Sequence, residues 1–136
     1  MAPSLSNADL SQSAPKQTDG LDEAQRQAGV RLKLFVGQTA IGIGQIDLLD
    51  CIGKTGSLAL AAAQMKMDEG RAESLLALTS AGFARALVTP TSKGDKTLEL
   101  TAVGVALVKR YREHDGHVQT ISVDLKNWLT KQQVSL

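Results

Sequence analysis

The chain is poor in the residues that usually carry a small protein's chemistry. Aromatic side chains make up 3% of its 136 residues, so the core must be aliphatic. A single cysteine, Cys51, excludes an intrachain disulfide and a thiolate cluster for zinc. No apolar run reaches the roughly 18 residues of a membrane-spanning helix, and residues 1–29 lack the apolar centre of a signal peptide. We therefore expect a cytoplasmic protein.

An excess of charge of one sign is also missing. The chain has 15 Lys and Arg against 14 Asp and Glu, for a formal net charge of +1. Any basic surface that binds a polyanion must therefore be a local cluster of Lys and Arg. The length and the 43% hydrophobic content fit one globular domain. Two histidines and no acid–base constellation indicate that the chain is not an enzyme, has no catalytic residues and needs no cofactor.

Composition divides the chain into three parts. Residues 1–29 are rich in Ser, Gln and Ala, which predicts a disordered N-terminal arm. Residues 30–115 form the predicted domain, and 116–136 are predicted to extend its last helix. In "VRLKLFV" (30–36), apolar residues alternate with Arg31, Lys33 and Phe35, which predicts a half-buried strand. Glycines at 37, 42 and 44 then predict a loop.

Three short helices are predicted between residues 45 and 80. Apolar residues at helical spacing mark the first helix: Ile46, Leu49 and Ile52. A glycine at 53 or 56 would end it. Ser57 is a good N-cap for the second helix, Leu58–Met65. Asp68 can cap a third helix that runs to about Ser80, with Ala72, Leu75, Leu76 and Leu78–Thr79 facing inward.

The second helix is rich in small side chains: Ala59, Ala61, Ala62 and Ala63. Small side chains let another helix approach closely, as in a helix-turn-helix, although any tight helical pair can use them. The strands "RALVT" and "KTLEL" follow around "PTSKGD", whose Pro90 and Gly94 suit a hairpin tip. Thr101 then caps a long helix. This order favours a mainly α winged helix-turn-helix with a small β wing and a long C-terminal helix.

These segments resemble a known family. "GQIDLLDCIGKTGSLALAAAQMKMDEGRAESLL", then "ALV", then "LELTAVGVALVKRYRE", is similar to the N-terminal domain of the molybdate-responsive ModE regulators. The segments look more distantly like the LysR-type DNA-binding domain. The resemblance covers about residues 30–115. It implies a winged helix-turn-helix homodimer, paired through its long helices, whose third helix enters the major groove of a palindromic operator.

The chain departs from the family at the start of the third helix. The family has Ser-Tyr-Arg-Arg-Ala-Trp where this sequence has "DEGRAE" at 68–73. Asp68 keeps a cap, but Glu69 and Glu73 replace aromatic residues and Gly70 replaces an arginine. The molybdate-binding half of the family does not follow in this sequence, so we do not expect oxyanion sensing.

A local basic footprint still points to double-stranded DNA. Residues 30–115 hold eleven Lys and Arg against nine Asp and Glu. The predicted DNA-binding residues are Ser57, Lys66, Glu69, Gly70, Arg71, Ser74, Lys93 and Lys96. Of these, Arg71, Ser74 and Glu69 would face bases, and the lysines with Ser57 would hold the phosphate backbone. The acidic third helix leaves an alternative open, a derived homodimeric protein-interaction module that has lost DNA binding.

A heptad-like pattern runs along the last helix. Its apolar members are the predicted dimerisation residues: Val103, Leu107, Tyr111, Val118, Ile121, Leu125 and Trp128. His114 falls in the same pattern, and Gly116 interrupts it and predicts a kink. Such a helix can also fold back over its own domain. We favour a dimer because Trp128 and Leu129 lie too far along for one small domain to cover.

Two further features carry polar chemistry but predict no site. His114 and His117 lie beside Glu113 and Asp115, yet structural zinc normally requires four nearby ligands, so we predict no metal site. Cys51 has no histidine near it in the sequence. We interpret it as a small core side chain and not as a nucleophile.

Overall fold

Helices dominate the computed structural model, which describes residues 28–92 and 96–134. The described residues divide into two units, a larger one within Val30–Val123 and a smaller one that contains 28–29 and 124–134. The elements in chain order are β1 (Leu34–Val36), β2 (Thr39–Ile41), α1 (Ile43–Thr55), α2 (Leu58–Gln64), α3 (Glu69–Ser80), β3 (Val88–Pro90), β4 (Leu98–Leu100), α4 (Ala102–Ile121) and α5 (Val123–Gln132). The predicted disordered arm lies, up to residue 27, outside the described residues. Within the described ranges, no helix combines the length and apolar character needed to cross a bilayer.

A small hairpin opens the larger unit. β1 pairs antiparallel with β2, with Leu34 opposite Ile41 and Val36 opposite Thr39. The loop predicted around residues 37–44 is therefore wrong in part, because its middle forms a strand and only Gly37, at φ 61°, turns the chain in the left-handed region. The predicted strand over 30–36 is confirmed only at Leu34–Val36. Its alternation extends further, since Arg31, Lys33 and Phe35 are all exposed.

α1 contributes more residues to the buried core than any other described element. It buries Ile46, Leu48, Leu49 and Ile52, so the three predicted positions are confirmed and Leu48 is added to them. Leu48 and Ile52 pack with alanines of α2 and α3, whereas Ile46 packs with Ile41 of β2. Full burial of each such aliphatic side chain stabilises the fold by about 1.5–3 kcal/mol. The left-handed Gly56, at φ 74°, ends the helix as predicted.

Tyr111 joins α4 to the N-terminal part of this core. Its side chain is 2% exposed and packs with Ile41 and Ile46. Its hydroxyl donates a hydrogen bond to the carbonyl oxygen of Leu32 at 2.7 Å. Burial, reinforced by nearby carboxylates, raises the pKa of the Tyr111 hydroxyl, which keeps the group protonated as a donor. The ring thus packs within its own chain, which removes Tyr111 from the surface predicted to dimerise.

α4 is also held to α1 by an ion-pair cluster. Arg112 places Nη1 at 2.9 Å from Asp47 Oδ1 and Nη2 at 3.1 Å from Asp50 Oδ2. Further along, Gln119 Nε2 donates to the carbonyl oxygen of Val30 at 2.8 Å. The larger unit therefore extends past the predicted boundary at 115. The helix continues through Gly116 and ends at Ile121, with Ser122 as its C-cap, and the predicted kink at Gly116 stays a prediction.

Two glycines of α4 give a matched test of this packing. A Cβ at Gly104 would lie 2.2 Å from the carbonyl oxygen of Leu87, whereas a Cβ at Gly116 would meet nothing within 4 Å. Gly104→Ala should lower the free energy of unfolding by about 2 kcal/mol or more, because backbone must move. Gly116→Ala should raise it by about 0.5–1 kcal/mol through helix propensity. Urea unfolding followed by circular dichroism measures both, and equal effects of the two variants would contradict this packing.

Candidate nucleic-acid interface

The turn between α2 and α3 is closed by a Schellman motif. The N–H of Met67 donates to Ala62 O at 3.0 Å, and the N–H of Lys66 donates to Ala63 O at 3.1 Å. Lys66 itself adopts the left-handed conformation, with φ 58°. Glycine takes this position most often, because a side chain there costs about 1 kcal/mol. The turn therefore holds an exposed lysine at a conformational cost.

Alanines let three helices approach one another beside this turn. Ala61 and Ala62 of α2 and Ala72 of α3 are buried and pack with Leu48 and Ile52 of α1. A larger side chain at these positions would force the helix backbones apart. Ala59 and Ala63 are exposed, so the packing role predicted for those two residues is wrong.

Both helices begin at the predicted caps. The Oγ of Ser57 accepts a hydrogen bond from the N–H of Leu60 at 3.2 Å, and Oδ1 of Asp68 accepts one from the N–H of Arg71 at 2.7 Å. A hydroxyl that accepts in a cap still has its own proton to donate. Ser57 is therefore able to serve as a cap and to donate to an external acceptor at once.

α3 has one buried side and one exposed side. Ala72 and Thr79 are buried, and Leu75 and Leu76 are half-buried. Its exposed side carries Glu69, Gly70, Arg71, Glu73 and Ser74. Leu78 was predicted to face inward but is 55% exposed. Arg71, Ser74 and Leu78 line a groove of about 210 Å³ on this side.

A second groove joins α3 to the β3–β4 hairpin. It has a volume of about 420 Å³ and is lined by Ser57, Leu58, Ala59, Glu69, Glu73, Lys96 and Leu98. The hairpin is fixed here because the N–H of Leu98 donates to Gly56 O at 2.8 Å. Pro90 was predicted at the hairpin tip, but it is the last residue of β3 and pairs with Leu98 of β4. Lys93 and Gly94 lie outside the described residues.

The predicted DNA-binding residues therefore fall into three groups. Ser57, Glu69 and Lys96 share the hairpin groove, whereas Arg71 and Ser74 share the smaller groove. The third group lines neither groove: Gly70 lies on the exposed side of α3, and Lys66 lies in the α2–α3 turn. Glu73 also lines the hairpin groove but was not among the predicted site residues. Its spacing of four residues from Glu69 was the signal that both face one groove.

The charges in the hairpin groove are mixed. Two carboxylates, Glu69 and Glu73, line it with one ammonium group, Lys96. A carboxylate beside DNA phosphates opposes binding, but it can accept a hydrogen bond from the amino group of cytosine. Such a surface suits weak, base-dependent contact better than strong contact with any phosphate array.

The other predicted dimerisation residues differ in exposure. Leu107 packs against the cluster around Tyr111, and Val103 and Val118 are half-buried. In the larger unit Ile121 is 81% exposed. In the smaller unit Leu125 is 51% and Trp128 is 58% exposed. These last three are the predicted residues with most apolar surface free for a second copy.

Cys51 is a poor candidate for a nucleophile or for a metal ligand. Cys51 is half-buried on α1, and burial, followed by Asp50 and Asp47, raises the pKa of its thiol. The protonated thiol is a poor nucleophile and a poor metal ligand. Over residues 28–92 and 96–134, no three His, Cys, Asp or Glu side chains lie together as a metal site would require.

Comparison with known proteins adds no relative. No family model matches the chain, and no curated protein matches it by sequence. The ModE-like resemblance therefore depends on the motifs quoted above.

Two substitutions of Lys66 distinguish the effect of its backbone strain on stability from the effect of its charge. Lys66→Gly should raise the free energy of unfolding by about 0.5–1 kcal/mol, because glycine adopts the left-handed conformation without strain. Lys66→Ala removes the same charge but keeps the strain, so it should leave stability nearly unchanged. Urea midpoints compare the two variants. A Lys66→Gly variant no more stable than Lys66→Ala would contradict a strained turn.

Proposed function

We propose that the chain is a cytoplasmic, homodimeric, DNA-binding transcriptional regulator with a ModE-like winged helix-turn-helix. In this proposal α2 and α3 form the helix-turn-helix, and the β3–β4 hairpin is the wing. The observation that carries it is the second groove, because Glu69 and Glu73 of α3 line it together with the hairpin residue Lys96. A recognition helix that enters the major groove, beside a lysine that contacts phosphates, is an arrangement suited to DNA.

Each side chain has a chemical role in this proposal. Arg71 is the one cation on α3, and its guanidinium can bind guanine O6 and N7 in a bidentate fashion. Ser74, in the same groove, can donate to or accept from a base. Lys66 and Lys96 contact phosphates on either side of α3, and Ser57 donates its hydroxyl proton to a third phosphate. Glu69 and Glu73 accept from cytosine amino groups and penalise other bases.

A second copy supplies what one domain lacks. Few positive groups surround α3, so a single copy binds DNA weakly. A two-fold dimer places two α3 helices about 34–36 Å apart, which matches successive major grooves on one face of the duplex. The exposed Ile121, Leu125 and Trp128 provide apolar surface for that pairing.

One observation favours a second candidate, a homodimeric protein-interaction module that has lost DNA binding. Glu69 and Glu73 line the groove that holds Lys96, so the wing lysine faces two carboxylates before any partner arrives. A basic peptide segment would suit those carboxylates as well as a cytosine does. DNA binding separates the two candidates.

Salt dependence tests the DNA contact. Fluorescence anisotropy with a random-sequence duplex should show affinity falling steeply as salt rises, and Lys96→Ala should reduce the slope of log K against log salt by about 1. Lys109→Ala removes an exposed lysine of α4 that lines neither groove, so it should leave the slope unchanged. Glu69→Gln with Glu73→Gln should raise affinity for random duplex, because two carboxylates leave the phosphate field.

Two outcomes would count against DNA binding. Absence of binding at the lowest salt would refute the regulator and leave the interaction module. Equal slopes for Lys96→Ala and Lys109→Ala would show that the hairpin groove is not where DNA lies.

The dimer has its own test. Ile121→Glu combined with Trp128→Glu places carboxylates on surface that is exposed in one chain, so folding should persist while pairing is lost. Sedimentation should then give the mass of one 14.4 kDa chain. Leu60→Glu is the matched control, since Leu60 is 56% exposed on α2, and it should leave the dimer intact. A dimer that survives the double change would place the pairing surface elsewhere.

A further inference from the structure

The two histidines of the chain lie together on one side of α4. His114 and His117 are the only histidines in the sequence, and both are exposed. They line one groove of about 560 Å³, so both imidazoles face the same space. Residues three apart on a helix have Cβ atoms about 5–6 Å from each other. Two ring nitrogens can therefore reach one ion at the zinc–nitrogen distance of about 2.1 Å.

The surroundings of the pair allow a cation but do not complete a site. Arg110 lines the same groove and repels a cation, and Glu113 lines it as well and offsets that charge. Neutral imidazole is the form that binds metal. Closed zinc sites require four ligands, and the described part of one chain brings no third ligand close to the pair. Two ligands are thus missing.

We propose that His114 and His117 are one half of a zinc site, which a second copy of the chain completes with the same two residues. This inference depends on the homodimer proposed above and adds a regulator to it. In a two-fold dimer each surface meets its own copy, so a histidine pair near the axis becomes a set of four. His114 belongs to the heptad pattern of α4, one turn before the half-buried Val118 and two turns before the exposed Ile121. The pair therefore borders the apolar surface that pairing would cover.

The site makes association dependent on zinc. Four imidazoles form a tetrahedral set that exists only in the dimer, so zinc binds the dimer better than one chain. By mass action, zinc then tightens pairing. The Cys51 thiol competes only weakly with the histidines for zinc, because Cys51 is half-buried against the α1–α3 core cluster.

Sedimentation of the full chain with zinc chloride or with EDTA tests the proposal. Zinc should tighten the dimer about tenfold or more, and the imidazole proton signals of both histidines should shift together and saturate at one zinc per two chains. His114→Gln with His117→Gln should abolish the zinc effect. Cys51→Ala is the control that should retain it, and magnesium should have no effect, because imidazole is a poor ligand for that ion.

The remaining outcomes overturn the site. Equal association with zinc and EDTA refutes it, and a dimer seen in both conditions would leave the proposed homodimer standing. Saturation at one zinc per chain without a change of mass shows a two-ligand chelate within one copy, which also refutes a shared site. A zinc effect that survives the double histidine variant places the metal on other residues.

Discussion

The close approach of α1, α2 and α3 is the constraint on which the candidate interface depends. Ala61, Ala62 and Ala72 bring little burial energy themselves, but their size lets Leu48 and Ile52 of α1 reach a dry interior. That packing leaves α3 only a narrow buried side. Its remaining side chains face solvent, Glu69 and Glu73 in the groove beside the hairpin and Arg71 and Ser74 in the smaller groove, and a nucleic-acid surface would have to include them.

Backbone hydrogen bonds help to fix the hairpin and the α2–α3 turn, in addition to the packing of Leu98 and Met67 against the core cluster. Gly56 O accepts from the N–H of Leu98, and Thr101 N–H donates to Leu87 O, so both ends of β4 are bonded to neighbouring segments. Lys66 keeps a left-handed conformation that glycine would adopt without strain. Strain retained at an exposed residue is common where the side chain has a function. The position of Lys66 at the start of the proposed reading helix agrees with a phosphate contact.

Local chemistry made α1, α2 and α3 predictable from the sequence. The caps Ser57 and Asp68 and the left-handed Gly56 act through neighbouring backbone groups. Their effect therefore depends on only a few adjacent residues and can be recognised in the sequence. β2 was missed because three residues between glycines carry little pattern. Leu78 was misplaced although helical spacing puts it outside the stripe of Ala72, Leu75 and Thr79. The end of α3 is also bonded to distant residues: Thr39 Oγ1 donates to Leu78 O, and Gln45 Nε2 donates to Thr79 Oγ1. Such long-range bonds leave no local signal.

The heptad pattern of α4 shows a second limit of sequence reasoning. Leu107 and Tyr111 pack inside their own chain, whereas Ile121 is exposed, and apolar spacing is the same in both cases. Periodicity indicates which side of a helix is apolar but not which surface covers it. The same limit applies to α3, whose sequence shows an exposed polar side but not its partner.

A chemical-shift titration of the full chain with a short random-sequence duplex at low salt would test the central claim most directly. If α3 and the hairpin bind DNA, the amide signals of Gly70, Arg71 and Lys96 should shift in a salt-reversible way, while that of Gly116 should not move. Shifts confined to α4 and α5, or no shifts at any duplex concentration, would contradict the account.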